Sequence, residues 1–307
     1  MAETFAYVLL CHVDAEAVLA TARRVRELSP SAHVLLRHAQ GPGFLDAPAA
    51  RAAGAEVLLS RIRPHWGHWS LVAAQLEALA EARRRWDPDW TVVVSGQDHP
   101  VRDLAAWEGE VVASGADALL RPDERDYDER WRRCWHRVPA EGAAATTLLR
   151  AAARLQRLGG RRAPLRLAGG RTWVFSHPRR EAAPPLPYRK GSFWATLSRR
   201  AVATLLAAGE DDALRAFFAS TLLPDESFAH SVLHAAPPLR VAAAPTSYTA
   251  FVGDDLAHPQ PLGLGDVPAA RASGAPFARK VVRGPGDAFA RAVDALVDAE
   301  RSPARER

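Results

Sequence analysis

Apolar residues fall in short runs separated by longer stretches of helical period. Residues 5–10 form one such run, and 33–36, 56–59 and 91–95 repeat it. Runs this short, rich in Val and Leu and bounded by turn residues, predict buried strands. Between the first two, Val18, Thr21, Val25 and Leu28 share one face of a helix that Asp14 can cap. Val72, Leu76 and Leu79 do the same over 70–85, with Ser70 as the expected cap. Strands alternating with helices predict an α/β fold, a mostly parallel sheet with helices on both faces. Further along, helices are expected over 143–158, over 198–208 with Gly209 ending it, over 212–220 and from Asp225. An amphipathic helix over 287–300 turns Phe289, Val293 and Leu296 inward, and a polar tail follows from Ser302.

Ligands of such sheets sit at the carboxyl ends of the strands. The positions to inspect are therefore Cys11 and His12, Arg37 and His38, the loop 61–69, and Ser95 to Pro100. No Gly-x-Gly-x-x-Gly, Walker loop or Gly-x-Ser-x-Gly elbow occurs there, which argues against those chemistries. No Asp-x-Asp follows a strand in the first half; Asp87 and Asp89 precede theirs and read as turn residues.

Four segments stand out. His65, Trp66, His68 and Trp69 either close the core or form an aromatic wall for a sugar or base; two histidines alone make a poor metal site. Asp98, after Ser95 at a strand tip, either caps a turn or fixes a sugar hydroxyl. Asp225 and Glu226 follow Pro224 at a helix start. Capping accounts for Asp225, whereas Glu226 is a carboxylate suited to general-base work. Arg279 and Lys280 are either a surface pair or, facing a cleft, cations for a diphosphate.

Composition narrows the classes. With 307 residues, 24% charged and 48% hydrophobic, the chain is neither disordered nor fibrous. No apolar run reaches the roughly 20 residues of a membrane span, and the start of the chain lacks a basic signal region. Cys11 and Cys134 are too few for a disulfide framework or a zinc site, so a cytoplasmic location is expected. The net charge of +5 is local: residues 150–180 hold nine arginines and no acid, leaving the remainder net acidic. No nucleic-acid partner is expected. The arginine stretch is instead a candidate for peripheral contact with anionic lipid at the inner membrane face.

In this order, these segments resemble the core-2/I-branching family of glycosyltransferases (glycosyltransferase family fourteen), which includes β-1,6-N-acetylglucosaminyltransferases and peptide O-xylosyltransferases. The matching pieces are residues 6–12, Trp66-Gly67 with the helix from Ser70, Ser95-Gly-x-Asp98-x-Pro100, Gly191-Ser192-x-Trp194 with Leu197-Ser-Arg199, residues 222–233 and residues 277–280. The resemblance covers about 5–100 and 188–281 and leaves the middle unmatched. It implies a single GT-A-like (Rossmann-like) domain over 1–300: a nucleotide-binding half to about 120, a partly helical excursion over 121–187, an acceptor and catalytic-base half over 188–300, and a tail over 301–307. It also implies an inverting transfer of a GlcNAc- or xylose-like sugar from a UDP-sugar to the hydroxyl of a glycan, glycolipid, natural product or protein, with no metal or other cofactor. Glu226 takes the role of general base. Arg279 and Lys280 hold the diphosphate. His12, Arg37, Trp66, Ser95 and Asp98 line the donor, and Gly191, Ser192, Trp194 and Asp225 the acceptor. Arg37-His38-Ala39-Gln40 stands where relatives carry an His-x-Asp-like segment. Phe193 replaces the acid of the xylosyltransferase branch, which favours Glu226 as base, and Tyr248 stands near a position where relatives often have Trp. Two other classes remain open: a non-catalytic nucleotide- or sugar-binding protein on the same fold, and a polyanion or membrane-surface binder acting through residues 150–180.

Overall fold

The four apolar runs are strands: β1 (Phe5–Leu10), β2 (His33–His38), β3 (Glu56–Leu59) and β4 (Trp90–Ser95). The computed structural model describes residues 3–123, 131–138, 143–156, 166–168, 173–180, 183–251, 259–282 and 284–305. With β6 (Ala118–Pro122), β10 (Gly191–Ser198) and β11 (Val241–Ala243), the four strands build a seven-stranded sheet ordered β11-β6-β10-β4-β1-β2-β3. All pairs are parallel except those of β10, which runs against both β4 and β6. This is the mostly parallel, GT-A-like α/β sheet that the resemblance implies.

Alternation along β1 builds both layers of core. Phe5, Tyr7 and Leu9 pack in one cluster with α1 (Ala15–Leu28), α4 (Leu104–Ala113) and α10 (Pro285–Arg305). Val8 points the other way, against Ala78 and Ala82 of α3 (Ser70–Trp86). Around Val93 and Leu197, α6 (Arg199–Glu210) and α8 (Phe228–His234) extend that second layer. Two shorter helices, α2 (Ala47–Ala52) and α9 (Val267–Ala272), pack at the first face, and α7 (Asp212–Ala219) follows α6.

Several expected boundaries move. Asp14 caps α1 as expected, accepting from the Ala17 N–H. Ser70 does not cap α3, because its hydroxyl accepts from the His65 N–H (2.9 Å) and so ties the preceding loop. Gly209 lies inside α6 rather than ending it. A Cβ there would come within 2.6 Å of the Leu76 side chain, so glycine serves close helix packing. In α10, Val297 rather than Leu296 follows Phe289 and Val293 into the core, and the helix runs on through the expected tail to Arg305.

A second sheet orders β12 (Ser247–Thr249), β13 (Phe277–Arg279) and β5 (His99–Pro100). A third, in the middle of the chain, orders β7 (Arg133–Val138), β9 (Trp173–Arg179) and β8 (Arg166–Ala168), beside α5 (Ala143–Gln156). Trp135 of β7 packs on Leu222 and Leu223, and its main-chain N–H donates to the Ser220 carbonyl (2.7 Å). The Arg180 guanidinium donates to the same carbonyl (2.6 Å). The middle of the chain therefore grips the segment just before Pro224. Leu148 and Leu155 of α5 are exposed. Residues 124–130 of the mixed charge run, and 157–165 and 169–172 of the arginine stretch, lie outside the described residues. Among the described residues, no helix is long and apolar enough to cross a membrane.

Candidate active site

The antiparallel direction of β10 assembles the site. β1 and β4 end with their carboxyl tips at Leu10 and Ser95. Because β10 runs against β4, with Ala195 opposite Val93, its first residues reach that same edge, and Gly191 lies opposite Pro122 at the tip of β6. The β12-β13-β5 sheet brings in the last piece. Ala278 pairs with His99, and the Val281 N–H donates to the Gln97 carbonyl (2.9 Å), so Arg279 and Lys280 sit against the turn after β4.

Arg279 is held on two sides. Its guanidinium carbon lies 4.4 Å from the centroid of the Trp194 ring, and its Nε lies 3.3 Å from Asp98 Oδ1. Burial lowers its pKa and Asp98 opposes the shift; an arginine so placed stays charged. The other Asp98 oxygen accepts from the Ser95 N–H (2.8 Å) and the Ser247 hydroxyl (3.0 Å). Burial pushes the Asp98 carboxyl up to about 6, against the pull of Arg279 and of these hydrogen bonds. Lys280 is half-buried, and burial followed by the Arg279 charge lowers its pKa. His12, exposed at the tip of β1, has its pKa lowered by the protein around its ring and then by the charges of Lys280 and Arg279.

Glu226 closes the short 3-10 turn Pro224–Glu226, entered through Leu223 with φ 55°. Its Oε2 lies 2.8 Å from Lys190 Nζ, and the side chain is 30% exposed, within reach of an incoming molecule. Lys190 is 7% exposed and also contacts Asp123 Oδ2 at 2.8 Å. Next to it, Gly191 admits no side chain: a Cβ would stand 2.0 Å from the His230 ring and 2.3 Å from the Arg121 carbonyl oxygen. His230 Nε2 donates to the Ser192 carbonyl (3.0 Å), and burial lowers the pKa of that ring to about 4. The Gly67 carbonyl accepts from the Leu223 N–H (3.4 Å), so the loop of Trp66 touches the Glu226 turn.

Glu226, Arg279, Lys280, His12, Ser192 and Trp66 are thus brought to one edge of the sheet. Four expected contacts change. Arg37 is 2% exposed, and its guanidinium is used by Glu77 (3.0 Å), the Ser60 hydroxyl (2.6 Å) and the Ile62 carbonyl (2.6 Å), so it anchors the scaffold and not a nucleotide. Asp98 is fully buried and shapes the site only through Arg279. Trp194 is the platform for Arg279 and so belongs to the cation end. Asp225 is buried in its turn and does not face an acceptor. Sequence reasoning missed Lys190, Asp123 and His230. Lys190 adjoins the Gly191 motif and His230 follows Glu226 by one helical turn, but Asp123 carried no local signal. Among the described residues, no three His, Cys, Asp or Glu side chains form a metal-binding group.

A carboxylate and a pair of cations along one sheet edge suit group transfer from an anionic leaving group. The Core-2/I-Branching enzyme family matches residues 6–261. The chain belongs to this family. A core-2/I-branching enzyme is a glycosyltransferase, which moves a sugar from a nucleotide sugar to an acceptor. No curated protein matches the chain. Among solved structures, this core-2/I-branching enzyme is similar to mannose-1-phosphate geranyltransferase from Thermus thermophilus (16% identity, 78% of this chain and 74% of that one, TM-score 0.31). It is also similar to glucosyl-3-phosphoglycerate synthase from Mycobacterium tuberculosis (18% identity, 66% and 59%, TM-score 0.31). A third is 4-diphosphocytidyl-2C-methyl-D-erythritol synthase from Anaerococcus prevotii (8% identity, 88% and 95%, TM-score 0.36).

Proposed function

We propose that the chain is an inverting, metal-independent transferase that moves a sugar from a UDP-sugar to an acceptor hydroxyl. Glu226 takes the acceptor's proton as its oxygen attacks the anomeric carbon. The bond from that carbon to the β-phosphate oxygen breaks on the opposite side, and its electron pair leaves with UDP. Arg279 and Lys280 meet the charge that gathers on the diphosphate, the electrostatic term that usually dominates such catalysis.

One observation carries this reading: β10 spaces the two ends. Lys190, at its start, holds Glu226, and Trp194, within it, carries Arg279. Four residues of strand span about 13 Å, and the irregular pairing between Gly191 and Ala195 shortens this. A sugar joined to a diphosphate is of that scale. The test is UDP release from UDP-N-acetylglucosamine, UDP-xylose and UDP-glucose, with a simple alkyl glycoside as acceptor and EDTA present. Release from one of them in EDTA is the expected result; strict dependence on Mn²⁺ overturns the metal-free mechanism.

A linked outcome concerns His12. The cations help hold its pKa below the ordinary histidine value, so its ring is neutral near pH 7. A bound diphosphate offsets those charges, the pKa rises, and a proton is taken up. Calorimetry of UDP binding at pH 6.5, in two buffers of different ionisation heat, is expected to show net uptake that His12→Gln abolishes. Zero uptake in the parent would remove His12 from the diphosphate's surroundings.

A further inference from the structure

The second sheet reaches from the turn after β4 to the tip of β6. At one end the Val281 N–H donates to the Gln97 carbonyl (2.9 Å). At the other, Thr249 stands in register with Arg279, and its hydroxyl accepts from Arg121 Nη1 (3.0 Å). Arg121 is fixed at its root as well. Its neighbour Pro122 pairs with Gly191, and its own carbonyl fills the space that a Cβ on Gly191 would need. The side chain is exposed, and among the described residues no carboxylate pairs with it. Lys190, by contrast, meets Asp123 and Glu226, and Arg279 meets Asp98. We propose that Arg121 recognises an anionic group on the acceptor, a carboxylate borne by the sugar whose hydroxyl is to be glycosylated. The inference rests on the reading of the site given above and adds the class of acceptor.

A guanidinium presents its N–H donors as a planar fork. Thr249 takes one of them, which leaves a complete edge for the two oxygens of a carboxylate, the bidentate pairing to which arginine is suited. The tether matters, because a long side chain loses rotamer freedom on meeting a ligand, and one already held at root and tip has less to lose. Strand order says which substrate carries the anion. From β1 the sheet runs through β4 and β10 to β6. At about 4.8 Å per strand, β6 lies roughly 14 Å from β1, the strand that carries His12 at its tip. The approach to β10 brings Lys190, and with it Glu226, next to the end of β6, where the Asp123 N–H donates to the Lys190 carbonyl (2.9 Å). An acceptor with its hydroxyl at Glu226 therefore has Arg121 within reach of its other substituents, on the side away from the nucleotide.

The test is calorimetry with two matched pairs of acceptors, methyl β-glucuronide against methyl β-glucoside and methyl β-galacturonide against methyl β-galactoside. Each is titrated with and without UDP, at physiological salt so that general attraction between exposed charges is screened. In at least one pair the parent is expected to bind the uronide roughly tenfold more tightly, the lower end of what a hydrogen bond to a charged group contributes. Arg121→Gln should bring that uronide down to its neutral partner. Thr249→Val, which frees the guanidinium from its tether, should lose part of the preference. No preference in either pair, or a preference that survives Arg121→Gln, overturns the inference. So does an equal loss in Arg189→Gln, since Arg189 is an exposed cation just before Lys190 and would then report a general field and not a contact. UDP-glucuronate against UDP-glucose covers the other source of a carboxylate: a preference there that Arg121→Gln removes, with none among the acceptors, places the anion on the donor and also overturns it. The two levels separate cleanly. UDP that fails to bind, beside an intact uronide preference, removes the donor reading and keeps Arg121, whereas UDP binding without any uronide preference removes only the role of Arg121.

Discussion

Glu226→Gln is expected to lower turnover by roughly 10²–10⁴-fold, the usual worth of a positioned general base, with UDP affinity close to that of the parent. The amide keeps the shape of the carboxylate, and its oxygen still accepts from Lys190. Glu226 is partly exposed and its pair with Lys190 is one contact at a turn, so the fold should survive. What the amide lacks is any capacity to accept the acceptor's proton. The affinity should hold because Arg279, proposed to meet the diphosphate, is attached elsewhere, through Trp194 and Asp98. Turnover is read by UDP release and affinity by calorimetry. Near-parental turnover would mean the proton leaves by another route.

Arg279→Ala is expected to damage both binding and the fold. Its guanidinium is the cation facing the buried Asp98 carboxylate, and removing one partner of a buried pair typically costs about 3–5 kcal/mol. The pH dependence follows from Asp98. Its pKa of about 6 in the folded chain is above the unfolded value, so the native state holds the proton more tightly. Stability is therefore lost as pH rises from about 4 through 6. Without Arg279 the carboxyl moves higher still and the loss extends toward neutral pH. Denaturation should show a larger deficit for Arg279→Ala at pH 8 than at pH 5.5, relieved by adding Asp98→Asn. Lys280→Ala, by contrast, should weaken UDP binding at little cost to stability, because its ammonium has no such buried partner in the Asp98 network. Equal stability losses from the two variants would contradict this division of labour.

What the sequence disclosed follows the range over which each signal acts. β1 to β4 were legible because each buries a continuous apolar run, and α1 and α3 because their inward faces keep the helical period. β10 was missed as a strand, since Gly191, Ser192 and Thr196 break its apolar pattern, and with it went the antiparallel insertion that gathers the site. Glu226, Arg279 and Lys280 were singled out as unusual charges at element ends and through the resemblance of their segments to the family. Arg37, and Asp98 in its reading as a donor contact, differ for one reason: both stand at strand tips, but each turns its side chain into the protein to meet partners distant in sequence, Glu77 and Ser247 among them, while Asp98 also caps its turn through the Ser95 N–H. Lys190 and Asp123 lie 67 positions apart, and only the pairing of β6 with β10 brings them together.

On the proposed mechanism, one strand would serve as a ruler across the reaction. Changes in the loop around Trp66 or in the small middle sheet would leave that strand in place. The reach from where the proton would depart to where the negative charge would collect is then set in strand residues, which loop changes do not lengthen. In such a design, the recipient can diversify while the donor's dimensions stay constant.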